Sequence, residues 1–439
     1  MKRFRILCTV LCLVLCLTGT AFASQSMTID INGPGQNRVN MTLAEPFIFS
    51  GSTPDVARSF SQLVEQNLGL LPFIQVVPAS RILGGAQLKG VTRDDIDFHR
   101  FQVSRVDMVA TAGWRPDPAG GSRLECRVYE SFGSRLLVGK AYAGVNRANV
   151  ARVADLFCEA FMKALTGRSG FFSSTLAFTK TSGKKGQRNI WTVTPQGRNL
   201  RQVTFMDGAS SSPSWSPDGR FLAFAHHSNH EHTLGLWDSR NNRIFMSKVP
   251  GTTIGGTAFT SQGNVVIALT RGNMEIFELT RDLTRIKKTL VQNWAIDVSP
   301  DFSADGKTLA FASDRFGNPH IFTRDMATGK ISRVTYDGKY NTSPSLSPDG
   351  KMVVFSRRTD EGHRIFVHEI DTGRERQLTF GPGSDEEPAF SPDGYFICFA
   401  SNRSGKYQLY LTTRHGAEPK RIPTGNGDAT QPAFGPRSR

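Results

Sequence analysis

The chain has 439 residues, of which 38% are hydrophobic and 21% charged. That length and balance exclude a disordered or collagen-like chain and leave room for more than one packed core. The formal net charge is +15, which fits attraction to anionic surfaces or acidic partner patches and equally a solvated basic surface with no partner meaning; an exported chain meets no nucleic acid routinely.

The first residues supply the export signal. Lys2, Arg3 and Arg5 precede an apolar run from Ile6 to Leu17, followed by Ala21-Phe22-Ala23. A basic start, a short apolar stretch and an A-x-A site describe a secretory signal peptide over 1–23, with cleavage between Ala23 and Ser24. The run is too short to span a bilayer. Cys8, Cys12 and Cys16 leave with it, so Cys126, Cys158 and Cys398 remain. An odd number in an exported chain is no disulfide scaffold, and spacing neither requires nor forbids a Cys126–Cys158 bridge.

Residues 24–36 form an arm. Within it Met27, Thr28, Ile29, Asp30 and Ile31 alternate apolar and polar, as an edge strand does, or an arm that adds to another sheet. Residues 37–168 carry no repeat and read as a small α/β domain. Pro46 to Phe49, Phe73 to Val77 and Val103 to Ala112 are expected strands, and Leu124 to Tyr129 with Leu136 to Ala143 a hairpin around Gly133. Thr53-Pro54-Asp55 opens a helix with Val56, Phe60, Leu63, Val64 and Asn67 on one face, ended by Gly69. A second helix from Asn149 to Leu165 has the stripe Val150, Val153, Phe157, Phe161 and Leu165, and Gly167 stops it.

Residues 169–439 repeat. Ser216-Pro217-Asp218-Gly219 returns around Gly350 and Gly394, with weaker copies at Gly263 and Gly306, a period of 43 to 44 residues. Proline presets φ in the turn, Asp bonds the local backbone and Gly takes the positive φ that follows. A β-rich run, an aliphatic-aromatic pair such as Leu236-Trp237 or Ile365-Phe366, and a short third run follow each turn. Four strands in about 40–45 residues make one propeller blade. Phe178, Phe224, Ala268, Phe311, Phe355 and Phe399 mark the same strand in six blades. The first has no inner strand before it; Pro432 to Pro436, at the other end of the chain, supplies one. The expected fold is therefore α+β and multidomain, a small α/β domain followed by a six-bladed β-propeller closed by the C-terminal strand.

Hydrolytic chemistry is poorly supplied. No serine has glycine at both flanking second positions, so the nucleophile elbow is missing. His226, His227, His230 and His232 crowd one expected loop without a second element to complete a zinc site. The aspartates of the turns (Asp218, Asp305, Asp349, Asp393) repeat for backbone reasons. No cofactor and no metal is expected. The other reading kept open is an exported propeller hydrolase or carbohydrate-binding protein with its site in the channel.

The loops feeding the innermost strands vary while the strands repeat, as a rigid scaffold presenting a recognition surface does. Candidates there are Thr253, Val298, Tyr340, Asn341, Asp385 and Glu386. The combination of an export signal, the strand Asp107-Met108-Val109-Ala110, the helix exit from Phe161 to Gly170, the Ser-Pro-Asp-Gly turns and the terminal Ala433-Phe434-Gly435-Pro436 resembles the TolB family of the Tol–Pal envelope system. The resemblance implies a monomeric, non-enzymatic periplasmic adaptor. It implies that the channel-mouth loops bind the peptidoglycan-associated lipoprotein Pal and that the arm, Met27 to Ile31, reaches TolA. Outer-membrane integrity, cell division and bacteriocin import are the processes so implied.

Overall fold

The computed structural model describes residues 38–49, 54–181, 186–228 and 231–436. The signal region, the cleavage site Ala23–Ser24 and the arm with Met27, Thr28, Ile29, Asp30 and Ile31 lie outside them, as does His230.

The N-terminal part is a mixed sheet with helices on it. Its elements are β1 (Val39–Leu43), β2 (Phe47–Ile48), α1 (Pro54–Leu68), β3 (Ile74–Val76), α2 (Phe98–Val103), β4 (Met108–Pro116), β5 (Ser122–Glu130), β6 (Arg135–Val145) and α3 (Val150–Thr166). The strand order is β3-β1-β4-β5-β6, with β2 beside β4. The parallel pairs β1–β3 and β1–β4 need crossovers, which α1 and the segment holding α2 supply. Val56, Phe60 and Val64 of α1 and Phe157 and Phe161 of α3 bury against Met41, Met108 and Trp114. Phe60 stands edge-on to Trp114 at 5.7 Å. Because side chains alternate along a strand, Val109 and Tyr129 face the other way. There they meet Ile82, Ile96, Phe98 and Phe101 in a second core. Gly167 caps α3 with φ 73°, a left-handed position that favours glycine.

Val103 ends a helix instead of starting a strand. Asp97 caps α2 by accepting from the His99 N–H, and Arg105 turns the chain with φ 56° before β4 begins at Met108. The local cap outcompetes the β-branched pattern that suggests extension.

The remaining strands fall into short antiparallel sets. They are β7 (Leu176–Thr181), β8 (Arg188–Val193) and β9 (Arg201–Gln202); β10 (Ala209–Trp215), β11 (Phe221–Ser228), β12 (Glu231–Asp238) and β13 (Arg243–Lys248). Next come β14 (Ile254–Phe259), β15 (Val265–Arg271), β16 (Asn273–Leu279) and β17 (Ile286–Val291), then β18 (Asp297–Phe302), β19 (Thr308–Ser313), β20 (His320–Asp325) and β21 (Ile331–Arg333). The last are β22 (Asn341–Leu346), β23 (Met352–Thr359), β24 (Gly362–Glu369) and β25 (Glu375–Gln377), then β26 (Asp385–Phe390), β27 (Phe396–Ser401), β28 (Gln408–Thr413), β29 (Lys420–Arg421) and β30 (Ala429–Phe434). Four sets of four, from β14 to β29, are separate sheets. β10 to β13 join β7, β8, β9 and β30 in one larger sheet, through a single parallel bridge between Ala209 and Arg188. β30 pairs antiparallel with β7, Ala433 opposite Ala177 and Phe434 opposite Leu176. This is a β-propeller.

The turn after each innermost strand behaves as its sequence requires. Ser216 Oγ donates to Asp218 Oδ1 at 2.6 Å, and the same oxygen accepts from Arg220 N at 3.1 Å. Ser303–Asp305, Ser347–Asp349 and Ser391–Asp393 repeat the arrangement. Gly219 takes φ 70°, and a Cβ there would stand 3.0 Å from Pro436 Cγ, so the start of the repeat abuts the end of the chain.

The N-terminal part docks on this turn-bearing end. Arg168 reaches Asp349 Oδ2 at 2.9 Å and the carbonyl of Asp393 at 3.4 Å. Phe171 stacks on Phe396 with centroids 4.0 Å apart, and Phe73 meets Tyr395 edge-on at 5.8 Å. The buried carboxylate of Glu159 on α3 accepts from Gly170 N at 2.5 Å and Ser173 N at 3.0 Å, which fixes the connecting segment. One hydrophobic core runs from α1 and α3 through Phe171 and Phe172 into β7, β27 and β28. Cys126, Cys158 and Cys398 are buried free thiols, so there is no Cys126–Cys158 bridge, and burial pushes all three thiol pKa values up.

Candidate functional site at the open mouth of the channel

Docking at the turn-bearing end leaves the opposite end open. There the loops feeding β10, β14, β18, β22, β26 and β30 form a rim, and the central cavity of about 560 Å³ lies inward of it, lined by all these strands from mid-length to the turns that follow them, as at Ser212 to Pro217. Each of these strands breaks register at one matching place, as between Ser211 and Ser214 or Glu386 and Ala389. The extra residue at such a bulge bends the strand. Here it is Ser212, Ser299, Ser343, Glu387 or Gln431 with φ between 51° and 54°, or Gly256 with φ 146°.

Side chains stitch these strands together around the cavity. Thr257 Oγ1 donates to the Ser212 carbonyl at 2.7 Å, joining β14 to β10. Asp301 Oδ2 accepts from Leu346 N at 2.7 Å, and Ser345 Oγ from Phe390 N at 3.2 Å. Glu387 Oε2 accepts from Gln431 N at 2.7 Å, and Gln431 Oε1 from Ser212 N at 2.9 Å. Between β14 and β18 the approach is apolar, and a Cβ on Gly256 would lie 3.1 Å from Pro300 Cδ. Burial raises the Asp301 carboxyl to about 6 and that of Glu387 to about 7, against the backbone donors that favour the charged forms.

The sequence candidates separate into two groups. Asn341 and Asp385 are fully buried. Asp385 holds the Arg403 guanidinium at 2.9 and 3.0 Å, and Asn341 Oδ1 accepts from Arg357 Nε at 2.7 Å. Asp297, one repeat earlier, binds Arg315 at 2.9 Å in the same way. Each arginine lies over aromatic rings of its own sheet, Arg357 4.4 Å from Phe366 and Arg403 5.2 Å from Tyr410. These rungs brace the mouth, so the Asn341 and Asp385 side chains are spent internally and drop out of the contact set. Their recurrence every 44 residues at Asp297, Asn341 and Asp385 was the available signal, because what repeats with the strands belongs to the scaffold.

The other candidates stand at the rim. Tyr340 is exposed, with its ring 6.1 Å from that of His363. Glu386 is half-buried and accepts from Tyr407 Oη at 2.5 Å. Thr253 is half-buried before β14, with its carbonyl taken by Thr270 N. Val298 packs partly against the core that holds Leu346 and Val353.

The largest exposed groups were missed. Phe205, Trp294, Phe316, Tyr336 and Phe380 show 75%, 76%, 65%, 71% and 65% of their surface to solvent. Phe205, Tyr336 and Phe380 follow the threonine that closes the third run of their repeats (Val-Thr-Phe, Val-Thr-Tyr, Leu-Thr-Phe), at the start of the connections to β10, β22 and β26. Arg333 lies between Phe316 and Tyr336, 5.3 and 4.9 Å from their rings. Ile296 N donates to Asp314 Oδ1, joining the Trp294 loop to the Phe316 turn. Trp294, Phe316 and Tyr336, so linked and rimmed by polar groups, mark an interaction surface.

His226 bonds Ser210 within the sheet, and the His227 and His232 rings lie 4.1 Å apart, tilted by 40°, across β11 and β12. Among the described residues no group of three or more His, Cys, Asp or Glu is placed to hold a metal, and no helix is long and apolar enough to cross a membrane.

A family model described as the TolB beta propeller domain matches residues 162–438. The chain belongs to the TolB family. The Tol-Pal system protein TolB of Nitratidesulfovibrio vulgaris is 45% identical over 302 residues, 68% of each chain. A TolB homolog of Chlorobium luteolum is 29% identical over 312 residues, 71% of this chain and 70% of its own. Among solved structures, TolB from Acinetobacter baumannii superposes with a TM-score of 0.77 at 20% identity, covering 92% of this chain and 98% of its own. That likeness extends the fold correspondence beyond the propeller into the N-terminal sheet.

Proposed function

We propose that this chain is a non-enzymatic periplasmic adaptor of the Tol–Pal system. In this reading the signal peptide is cut between Ala23 and Ser24, the arm at Met27 to Ile31 engages TolA, and residues 37–168 form the small domain. Residues 169–439 form a ring of six blades. Taking β30-β7-β8-β9 and β10 to β13 as two of those blades supports that count, and the β30–β7 pairing supports closure by the C-terminal strand. The mouth binds Pal. Outer-membrane integrity, cell division and bacteriocin import follow from membership of that system.

The observation that carries the reading is the patch of exposed rings at Trp294, Phe316 and Tyr336, on the end of the ring opposite the turns where the N-terminal part docks. Large rings on braced loops are the usual anchors of a protein interface. Titrating the mature chain with the soluble domain of Pal in a calorimeter tests it. A saturable complex that weakens at least about tenfold on Trp294→Ala with Phe316→Ala is expected. No complex, or one indifferent to that pair, would overturn it.

A further inference from the structure

A second cavity of about 190 Å³ opens beside the mouth, where β26 and β28 face β7 and β30. Thr181, Arg188, Glu386, Glu387, Tyr407 and Asp428 form its walls. The lining is fixed from behind. Tyr407 Oη donates to Glu386 Oε1 at 2.5 Å, and Tyr407 N donates to Asp428 Oδ1 at 3.0 Å. Asp428 N donates to Thr181 Oγ1 at 2.8 Å, and Gln431 N holds Glu387 Oε2 at 2.7 Å. Three carboxyl groups thus share one concavity with a single guanidinium, Arg188. Negative charge focused in a hollow with low-dielectric walls attracts a cation, and the phenol ring adds a π surface and a hydroxyl. The volume suits one long basic side chain and is too small for a strand or helix.

We propose that this cavity receives a primary ammonium or guanidinium group carried on a basic side chain of the protein seated on the mouth; the proposal rests on the mouth reading above. Burial, with the Glu386 charge beside it, keeps the Glu387 carboxyl up near 7 even against the Arg188 guanidinium. A cation beside it favours the ionised form, so binding should release a proton near neutral pH and strengthen as pH rises from 6 to 8. The groups facing Glu387 there are Glu386, Asp428, Arg188 and Tyr407, with His363 behind Glu386 at 3.6 Å.

The test uses the full mature chain carrying 3-fluorotyrosine, with the Tyr407 resonance identified through Tyr407→Phe. Titration with n-butylammonium chloride and with n-propylguanidinium chloride should move that resonance saturably. Sodium chloride and n-butanol at equal concentrations should leave it in place. The isosteric pair Glu386→Gln with Asp428→Asn should weaken the response about tenfold, the other tyrosine resonances reporting an intact fold. Saturating the protein with Pal should abolish the titration. The proposal falls if the shift is matched by sodium, is undiminished in the double variant, or persists with Pal bound. If Pal binds and the aromatic variants lose it while neither probe titrates, this inference fails alone. If the probes titrate and Pal does not bind, the mouth reading fails, and with it the assignment of the cation to that partner.

Discussion

Gln431, on the last strand, accepts hydrogen bonds from the backbone of Ser212 and the hydroxyl of Thr179, both at 2.9 Å. One amide oxygen therefore ties the end of the ring to the first strand of the propeller and to the first full Ser-Pro-Asp-Gly repeat. Replacing Gln431 with Leu keeps the volume and leaves both donors without that acceptor. A loss of about 1–3 kcal/mol is expected, read as a lower midpoint in urea. Deleting residues 429–439 removes all of β30 and should abolish cooperative unfolding in near-UV circular dichroism.

Glu159 governs the junction. Its carboxylate serves Gly170 N, Ser173 N and Ser173 Oγ inside the molecule. Glu159→Ala should cost about 2–4 kcal/mol because buried N–H groups lose their acceptor. Limited trypsin digestion should then cut at Arg168, which the intact protein protects; an unchanged digestion pattern would show that the clamp is dispensable.

At the mouth, two classes of variant should part cleanly. Trp294→Ala and Phe316→Ala remove exposed rings, so the melting temperature should hold within about 1 °C while Pal affinity drops at least about tenfold for the pair. Asp385→Ala leaves the Arg403 guanidinium buried without its partner and should cost about 3–5 kcal/mol. Thermal melts alongside calorimetry separate the two, and an Asp385 variant of unaltered stability would refute its bracing role.

Glu387 sets a pH dependence. Its folded pKa of about 7 lies above the ordinary 4.5 because of burial. The folded state therefore keeps a proton that the unfolded chain releases. The stability this contributes is full below pH 4.5 and is lost as pH rises through 7. Asp301, raised to about 6 from 3.8, adds the same trend over a lower window. Glu387→Gln stays neutral throughout, so the fall in melting temperature between pH 5 and pH 8 should shrink by about 2–4 °C.

The propeller was legible because its turns are written in backbone chemistry. Serine, proline, aspartate and glycine each meet a local demand, and a period repeats that demand. Helices α1 and α3 were legible for the same kind of reason, through an apolar stripe closed by a glycine. The region around α2 was not, since Asp97 and the paired caps Thr92 and Asp95 build it from isolated contacts without periodicity. The docking of the two parts was also hidden. Arg168 and Asp349 lie 181 residues apart, and no local pattern couples them. Within the site, loop variability singled out the end of the ring where the exposed aromatics stand. It did not separate Asn341 and Asp385, whose polarity serves the scaffold, from the rim, and it passed over Phe205, Tyr336 and Phe380, which follow three of the third runs.

The core shared by α1, α3, β7, β27 and β28 leaves the molecule without a joint in its middle. Such a body works as a strut. Whatever grips one extremity stands at a set distance and angle from whatever grips the other, and a pull applied to either is felt undamped across the whole span.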